Sequence, residues 1–402
     1  MARQNVLTGA AVLAVAGLVV KGIGACFKIP LGILLRPEGM ASFSVAYNLY
    51  AMLFVLATAG APIAVSKLVS ESLASGRRAD AKRVFFVARV LFSVAGLTGA
   101  AALFFCAKPL ALAMGAPDAA PSIAAIAPAV FFVSLVCVHR GYHQGHGDMV
   151  PTAYSEIIEA LGKLVLGLSA AWWLGENGAS RGVMAAGAVA GVSAGAALAY
   201  LYFRFSRRAI ASPLHAEDAH VTRYRVLTRR LVTQALPITL GAGVISLTNV
   251  IDSALIMKLL QGIGYSIDRS MWLYGTYTYA TNLFNLPNVL VATLAVSLVP
   301  TVAEATARGE RARIEKTTAT VLVLTLVLSV AAAVGLFAFA PLILHILYGR
   351  GVETDAIEQA VVLLRILCLA VVPLAVVTVT NALHQASGRM RLPVYTMLLG
   401  AG

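Results

Sequence analysis

The sequence is poor in charge and in cysteine. Only 12% of its 402 residues are charged, whereas 59% are hydrophobic and the mean hydropathy is +0.83. Soluble domains carry about 25% charged residues, so this composition excludes a soluble globular enzyme. The four cysteines lie inside apolar segments without paired spacing, which argues against a disulfide framework or a cysteine-ligated metal. We therefore predict an all-α polytopic membrane protein.

Enzyme signatures are also scarce. The sequence contains no phosphate-binding loop, no HExxH and no CxxC, so the chemistry that these motifs support is not expected. The 18 acidic residues are outnumbered by 31 Lys and Arg, which gives a net charge of +13. The basic residues form short clusters between apolar segments, as in cytoplasmic loops that face anionic lipid. We expect neither an enzyme nor a nucleic-acid partner.

Ten apolar segments are each long enough to cross a bilayer, which takes about 20 helical residues. They cover residues 7–35, 40–65, 84–110, 119–138, 150–174, 182–202, 231–259, 272–299, 318–347 and 360–383, and an eleventh begins after Pro393. The first segment is followed by no small-residue cleavage site, so we interpret it as a retained helix and not a signal peptide. Most Arg and Lys residues, Arg140 among them, follow the even-numbered segments, which predicts that these loops and the N-terminus lie on the cytoplasmic side of the plasma membrane.

Two polar motifs occur twice. Ala64-Val65-Ser66 with Glu71 recurs as Ala295-Val296-Ser297 with Glu304, and His143-Gln144, Gly147, Met149, Pro151 and Tyr154 recur as His384-Gln385, Gly388, Met390, Pro393 and Tyr395. Six predicted helices separate the copies, which indicates two parallel lobes with a substrate site between them. We expect a six-helix lobe at 1–203, a basic cytoplasmic linker at 204–230 and a second lobe at 231–402. With about four and a half helices, the second lobe is expected to be C-terminally incomplete.

Two lysines, Lys21 and Lys28, interrupt the first apolar segment. A charge at the bilayer centre costs about 3 kcal/mol on insertion scales, so such residues are candidates for function. Their seven-residue spacing places both on nearly the same helix face, about 10 Å apart along the axis. Two stacked ammonium groups suit an anion with more than one charge, and we predict that both bind substrate. The alternative is that Lys28 snorkels to the interface.

The fifth predicted helix carries Glu156, Glu159 and Lys163 on one face. Glu159 can pair with Lys163 one turn later. These three residues are therefore candidates either to line a cavity or to form an interfacial salt bridge. A metal site is conceivable in the histidine-rich stretch 139–146 just before this helix, but the second copy of the motif lacks the cluster. We interpret that stretch as a structural helix end.

The seventh and tenth predicted helices each contain an isolated charge. Asp252 lies in an apolar context with Asn249 one turn earlier, and Arg365 is similarly placed. We predict that Asp252 binds a coupling cation, H⁺ or Na⁺, or acts as the counter-ion of an intramembrane lysine or of Arg365. Asn249 and Arg365 are candidates for cavity lining.

Several stretches together resemble one family of transporters. They are KGIGACFKIPLGILLRPEGM (21–40), TAGAPIAVSKLVSE (58–71), GYHQGHGDMVPTAYSEIIEALGKLVLGL (141–168), NVIDSALIMKLL (249–260) and LPNVLVATLAVSLVPTVAEATARG (286–309). The chain resembles the stage V sporulation protein B group of polysaccharide exporters. That group is similar to the lipid II flippases of the multidrug, oligosaccharidyl-lipid and polysaccharide exporter superfamily. The resemblance implies two six-helix lobes in a V-shaped, alternating-access arrangement. It also implies a cationic central cavity for a lipid-linked pyrophosphate sugar, with Lys21 and Lys28 at the basic positions of the first helix.

The expected function is therefore transport. We predict a bacterial flippase or exporter of an undecaprenyl-pyrophosphate-linked cell-wall precursor of peptidoglycan or polysaccharide. Its partners would be this lipid-linked sugar, membrane lipid and cell-wall synthesis proteins, and no cofactor beyond a coupling ion is expected. One alternative is a multidrug or cation exporter of the same superfamily. Another is a non-transporting partner of the cell-wall synthesis machinery.

Overall fold

A computed structural model describes residues 6–206, 222–307 and 310–386, and these residues form α-helices, one short 3₁₀ turn and no strand. The helices are α1 (Val6–Thr58), α2 (Ala61–Ala74), α3 (Arg78–Phe105), α4 (Ala107–Ala113), α5 (Ala120–Gly145), α6 (Val150–Glu176), α7 (Arg181–Phe205), α8 (Tyr224–Gly262), α9 (Ile267–Ala307), α10 (Arg311–Tyr348), α11 (Thr354–Cys368) and α12 (Val371–Ala386). Each of the ten predicted segments falls on one or two of these helices. The predicted eleventh segment and the repeat positions 387–395 lie outside the described residues.

The helices have the length and apolar composition of membrane spans. Among the described residues, six helical stretches are long and apolar enough to cross a bilayer, or seven if α11 and α12, bent by 50°, form one span. The predicted segments 231–259 and 272–299 correspond to α8 and α9, whose side chains are described in part. The prediction of an all-α polytopic membrane protein is confirmed.

A sharp break divides α1 at Arg36, whose φ of 55° lies in the left-handed region that non-glycine residues rarely adopt. Pro37 follows and has no N–H to donate. At the start of α7, the Nη1 of Arg181 donates to the carbonyl oxygen of Leu34 at 3.0 Å. The guanidinium thus supplies a donor to a carbonyl next to the break. The break falls between the first two predicted segments, which were expected to be separate helices.

Helices α6 and α7 pack closely because glycines face each other. A Cβ added to Gly191 would lie 2.3 Å from the backbone of Gly167, and one added to Gly195 would lie 2.5 Å from the carbonyl oxygen of Glu159. Residues 191–195, GVSAG, have the spacing of a hydrolase nucleophile motif. They lie in mid-helix, however, and the Oγ of Ser193 donates to the carbonyl oxygen of Ala125 at 2.9 Å. The motif therefore serves helix packing.

The chain divides into two compact units, residues 1–271 and 272–402. Helix α8 belongs to the first unit. It is held there by hydrogen bonds from Asn48 Nδ2 to Ser253 Oγ (2.7 Å) and from Gln261 Nε2 to the carbonyl oxygen of Gly115 (2.7 Å). The lobe boundaries at 203 and 231, which rest on the sequence repeat, stay a prediction, and residues 207–221 of the predicted linker lie outside the described residues.

The start of α8 is fixed to α3 through Thr222. The carboxylate of Asp80, which is 2% exposed, accepts hydrogen bonds from the backbone N–H of Thr222 (2.9 Å) and from its hydroxyl (2.5 Å). The Nη1 of Arg83 donates to the carbonyl oxygen of Thr222 at 3.1 Å, and its guanidinium lies 4.9 Å from the ring centroid of Tyr224. Two charged side chains thus hold the chain where α8 begins.

The second unit is described from α9 to α12. Its core contains Val291, Val321, Ala375 and Val379, each less than a tenth exposed. The hydroxyl of Thr378 donates to the Oδ1 of Asn288 at 2.9 Å, which links α12 to α9.

Candidate functional site

A polar pocket of about 300 Å³ lies within the first unit, between α1, α5, α6 and α7. Its volume is at the lower end of the range of small-molecule sites. The lining residues are Val20, Tyr47, Tyr50, Ala51, Phe54, Arg140, Glu156, Glu159, Ala160, Lys163 and Val192. Four of these side chains carry charge although the surrounding helices are apolar enough to span a membrane. Charges in that setting mark a functional candidate.

Arg140 organises the pocket. The residue is 8% exposed, and its Nη2 donates to the Oε2 of Glu159 at 2.9 Å. Its Nε donates to the hydroxyl of Ser155, also at 2.9 Å. The prediction that Arg140 lies in a cytoplasmic loop is wrong, because α5 continues to Gly145 and carries Arg140 into the bundle. Glu159 pairs with this arginine and not with Lys163, the partner that the sequence spacing suggested.

Glu156 and Lys163 supply the other two charges of the pocket. Both are half-buried, and Glu156 makes no hydrogen bond or ion pair with any described residue. The Nζ of Lys163 lies 5.4 Å from the ring centroid of Phe27 in α1, a cation–π distance. Its charge also repels that of Lys28. With Arg140 and Glu159 neutralising each other, Lys163 and Glu156 are the charges left to meet a ligand.

Aromatic rings from α1 form one wall of the pocket. The ring centroids of Tyr47 and Tyr50 are 5.8 Å apart, and those of Tyr50 and Phe54 are 5.6 Å apart. These residues recur every three or four positions, so they share a helix face. The pocket therefore combines an aromatic wall with the Arg140–Glu159 ion pair, one further cation and one further carboxylate.

The predicted substrate lysines do not line this pocket. Lys21 and Lys28 are exposed on α1, although Val20, the residue before Lys21, is part of the lining. Phe27, the residue before Lys28, has its ring centroid 5.4 Å from the Nζ of Lys163, and the charges of Lys28 and Lys163 interact. The structure thus places Lys28 beside the pocket, and the role of both lysines in binding stays a prediction.

The other predicted site residues also lie away from the pocket lining. Asp252 and Asn249 are exposed on α8, and Asp252 forms no ion pair with another described residue. Arg365 is exposed on α11 in the second unit, where its Nε lies 3.4 Å from the carbonyl oxygen of Phe337. The proposed roles of these three residues in coupling and cavity lining remain predictions.

The histidine-rich stretch is buried at the end of α5. His139 and His143 are each 4% exposed and stack on the ring of Phe203, with centroid distances of 5.1 and 5.6 Å. Among the residues that the structure describes, no three His, Cys, Asp or Glu side chains are grouped to hold a metal ion. The stacking is consistent with the structural helix end that the sequence analysis favoured.

The comparison with protein families covers most of the chain. The model of the family described as "Polysaccharide biosynthesis protein" matches residues 6–306, and a second, MatE, matches residues 275–402. The chain belongs to the polysaccharide biosynthesis protein family. This assignment confirms the resemblance inferred from the sequence and places the chain among the exporters of the multidrug, oligosaccharidyl-lipid and polysaccharide superfamily.

Three curated relatives of this family member come from Bacillus subtilis (strain 168). The uncharacterized membrane protein YabM is 26% identical to the chain over 89% of the chain and 66% of its own length. Stage V sporulation protein B is 26% identical over 87% of the chain and 68% of its own length. Lipid II flippase MurJ is 25% identical over 76% of the chain and 59% of its own length. The chain therefore spans about two thirds of the length of these relatives.

Solved structures support the fold of the family member. The inward-facing structure of a multidrug resistance MATE family transporter aligns with 96% of the chain over 88% of the transporter's own length, with a TM-score of 0.79 and 16% identity. A transporter of the same superfamily from Pyrococcus furiosus is described as having a binding pocket of reverse polarity. It aligns with 98% of the chain over 85% of its own length, with a TM-score of 0.66 and 16% identity. At this identity the likeness concerns the fold.

Proposed function

We propose that this membrane transporter moves an undecaprenyl-pyrophosphate-linked cell-wall or polysaccharide precursor across the bacterial plasma membrane by alternating access. The observation that carries the proposal is the cationic side chain of Lys163, held in an intramembrane pocket beside Lys28. Lys21 extends the same row along α1. Opposite charges attract far more strongly in a low-dielectric cavity than in water, so lysines there can offset the desolvation of a pyrophosphate. The sequence relationship to a lipid II flippase supports the same substrate class.

The proposed orientation has the N-terminus in the cytoplasm, because the basic loops then face the anionic leaflet. Cell-wall synthesis proteins that make and consume the lipid-linked sugar are the proposed partners. Outward movement of a polyanion needs a driving force, and the membrane potential contributes about 2.3 kcal/mol per charge at 100 mV. We propose that a coupling H⁺ or Na⁺ binds a membrane carboxylate. Asp252 is the candidate from the sequence, and Glu156, without an ion-pair partner among the described residues, is the candidate from the pocket.

Flipping of lipid II by the full chain in proteoliposomes tests the proposal. We expect the double substitution of Lys21 and Lys28 by alanine, and separately Lys163→Ala, to lower the initial rate at least tenfold, because the pyrophosphate loses its counter-charges. Lys67→Ala is the matched control. Its side chain is 60% exposed on α2 and its ammonium pairs with Glu71 at 4.0 Å, so its loss should leave the rate unchanged.

The assignment of the lysines would be wrong if both the double variant of Lys21 and Lys28 and the Lys163→Ala variant flipped lipid II at the wild-type rate. It would also be wrong if Lys67→Ala lowered the rate as much as Lys163→Ala, because a general loss of positive charge would then explain the effect.

One observation favours a second function, the export of organic cations. Tyr47, Tyr50 and Phe54 offer aromatic faces next to the carboxylate of Glu156, and aromatic faces attract desolvated cations. Efflux of ethidium that is abolished by Glu156→Gln, in a protein without lipid II flipping, would favour this function. Ethidium efflux equal to that of empty vesicles would count against it.

A further inference from the structure

The charges that line the polar pocket balance one another. Among its described lining residues, Arg140 and Lys163 are cations, whereas Glu156 and Glu159 are carboxylates. Because Arg140 pairs with Glu159 at 2.9 Å, the charges that face a ligand are one ammonium, from Lys163, and one carboxylate, from Glu156. A carboxylate in a low-dielectric pocket repels a purely anionic ligand. The pocket therefore suits a ligand that carries a cation as well as an anion.

The two charges lie on one face of α6. Glu156 and Lys163 are seven residues apart, close to two helical turns, so side chains that extend side by side are separated by about 10 Å. Glu159 lies between them and is occupied by Arg140. Charge-assisted hydrogen bonds are about 2.8 Å long. With one such bond at each end, roughly 5 Å is left between the two charges of the ligand.

The aromatic wall and the volume of the pocket suit a single sugar ring. Tyr47 and Phe54 are half-buried in the lining, with the buried Tyr50 between them. Aromatic faces attract desolvated cations, and they can cover the apolar C–H face of a pyranose. A cavity of about 150 Å³ holds benzene. The 300 Å³ of the pocket is about twice that volume, enough for one hexose ring.

We infer that the sugar next to the diphosphate of the transported lipid carries a free ammonium group, and that Glu156 binds it. The inference rests on the proposed function, because it assumes a lipid-linked sugar diphosphate with its phosphate near Lys163. It narrows that substrate to an amino sugar without an N-acyl group. In a 2-amino sugar, four bonds of about 1.5 Å join the nitrogen to the phosphorus, a span of at most about 5 Å. This span matches the distance that Glu156 and Lys163 leave.

Glu156 would then determine specificity. A neutral hexose, or a sugar whose amine is acetylated, leaves the carboxylate desolvated without a counter-charge, which is costly. An ammonium group at the same position satisfies it with a charge-assisted hydrogen bond. One residue would thus favour the amino sugar and disfavour its neutral analogues. With Glu156 bound to the substrate, Asp252 remains the candidate for the coupling ion.

Binding of matched lipids to the full chain in nanodiscs tests the inference. Three probes are undecaprenyl diphosphates that bear glucosamine, N-acetylglucosamine or glucose, and they share the tail and the diphosphate. The fourth is lipid II, whose free amine lies on its stem peptide. We expect the glucosamine lipid to bind about tenfold more tightly than the acetylated and glucose lipids, equivalent to ~1.4 kcal/mol. This comparison uses the unaltered protein, so it does not depend on the folding of a variant.

Glu156→Gln should change two affinities in opposite directions. It should weaken the glucosamine lipid about tenfold, because the ammonium loses its counter-charge, and it should strengthen the other two sugar lipids, because the repelling carboxylate is gone. A merely structural role of Glu156 would weaken all probes alike. Glu176→Gln is the matched control, since Glu176 is exposed at the end of the same helix and does not line the pocket. It should change none of the affinities.

The outcomes separate the ammonium site from the proposed function. Equal affinity for the three sugar lipids, or equal weakening of all of them by Glu156→Gln, would overturn the inference and leave the diphosphate substrate standing. Glucose bound as tightly as glucosamine would also overturn it, because the acetyl group would then be excluded by size alone. Lipid II binding as sensitive to Glu156→Gln as that of the glucosamine lipid would move the ammonium group to the peptide and refute the assignment to the sugar.

Lys163→Ala tests the proposed function itself. It should weaken every diphosphate lipid by a similar factor, because all of them share the anionic group. Unchanged affinities in this variant, with a preference for glucosamine that Glu156→Gln still removes, would refute the role of Lys163 and support the ammonium site. Absence of binding by every probe would overturn both.

Discussion

Breaking the ion pair between Arg140 and Glu159 should destabilise the first unit. The pair joins α5 to α6 at 2.9 Å, with the arginine 8% exposed and the glutamate side chain 22% exposed. Glu159→Gln keeps the size of the side chain but leaves the guanidinium without its counter-charge. Removing one partner of a buried pair costs about 3–5 kcal/mol. Because this carboxylate is partly exposed and Ser155 still accepts from Nε, we expect a loss of about 2–3 kcal/mol.

The free energy of unfolding of the full chain, followed by denaturant titration in detergent, measures this loss. Glu71→Gln is the matched control, since Glu71 pairs with Lys67 at 4.0 Å and both side chains are about half exposed. Exposed pairs of this kind contribute about 0–1 kcal/mol. The double variant Arg140→Met with Glu159→Gln should recover part of the lost stability, because no buried charge is then left without a partner.

Two results would refute this reasoning. The first is a loss for Glu159→Gln no larger than that for Glu71→Gln, which would mean that water reaches Arg140 freely. The second is a double variant whose loss of stability equals the sum of the two single losses, which would mean that the two residues stabilise the bundle through independent contacts.

Two further predictions concern packing and the start of α8. Gly191→Ala should lower the free energy of unfolding by about 2 kcal/mol, because its Cβ would lie 2.3 Å from the backbone of Gly167 and overpacking is costly. The control is Gly22→Ala, whose Cβ would have no atom within 4 Å and should cost nothing. Equal losses of stability for the two variants would contradict the prediction. Asp80→Asn should cost about 1–3 kcal/mol by weakening the buried hydrogen bonds to Thr222, and should speed proteolysis just before α8. Unchanged proteolysis would show that other contacts fix that segment.

The sequence by itself determined where the helices lie. Hydrophobic segments are local features, and a membrane requires every backbone hydrogen bond to be made within the helix, so each apolar segment had to become a helix. Even the break at Arg36 could be predicted, because the apolar run ends there and Pro37 follows. The family resemblance also followed from the sequence, because its motifs are contiguous stretches that can be read without a structure.

The tertiary structure decided which charges meet. The shared face of Glu156, Glu159 and Lys163 could be predicted from helical spacing, but Arg140, the partner of Glu159, comes from a different helix. No local rule pairs residues on two helices. The sequence reasoning therefore ended α5 too early and missed Arg140. A hint was present in the sequence, since an arginine directly after an apolar segment can lie inside the helix when a carboxylate faces it.

Tertiary packing also separated residues that looked equivalent in the sequence. Lys28 and Lys163 interact, whereas Asp252 is exposed on α8 without an ion pair among the described residues. All three charges interrupt apolar helices, and whether one charge meets another depends on which helix packs against its face.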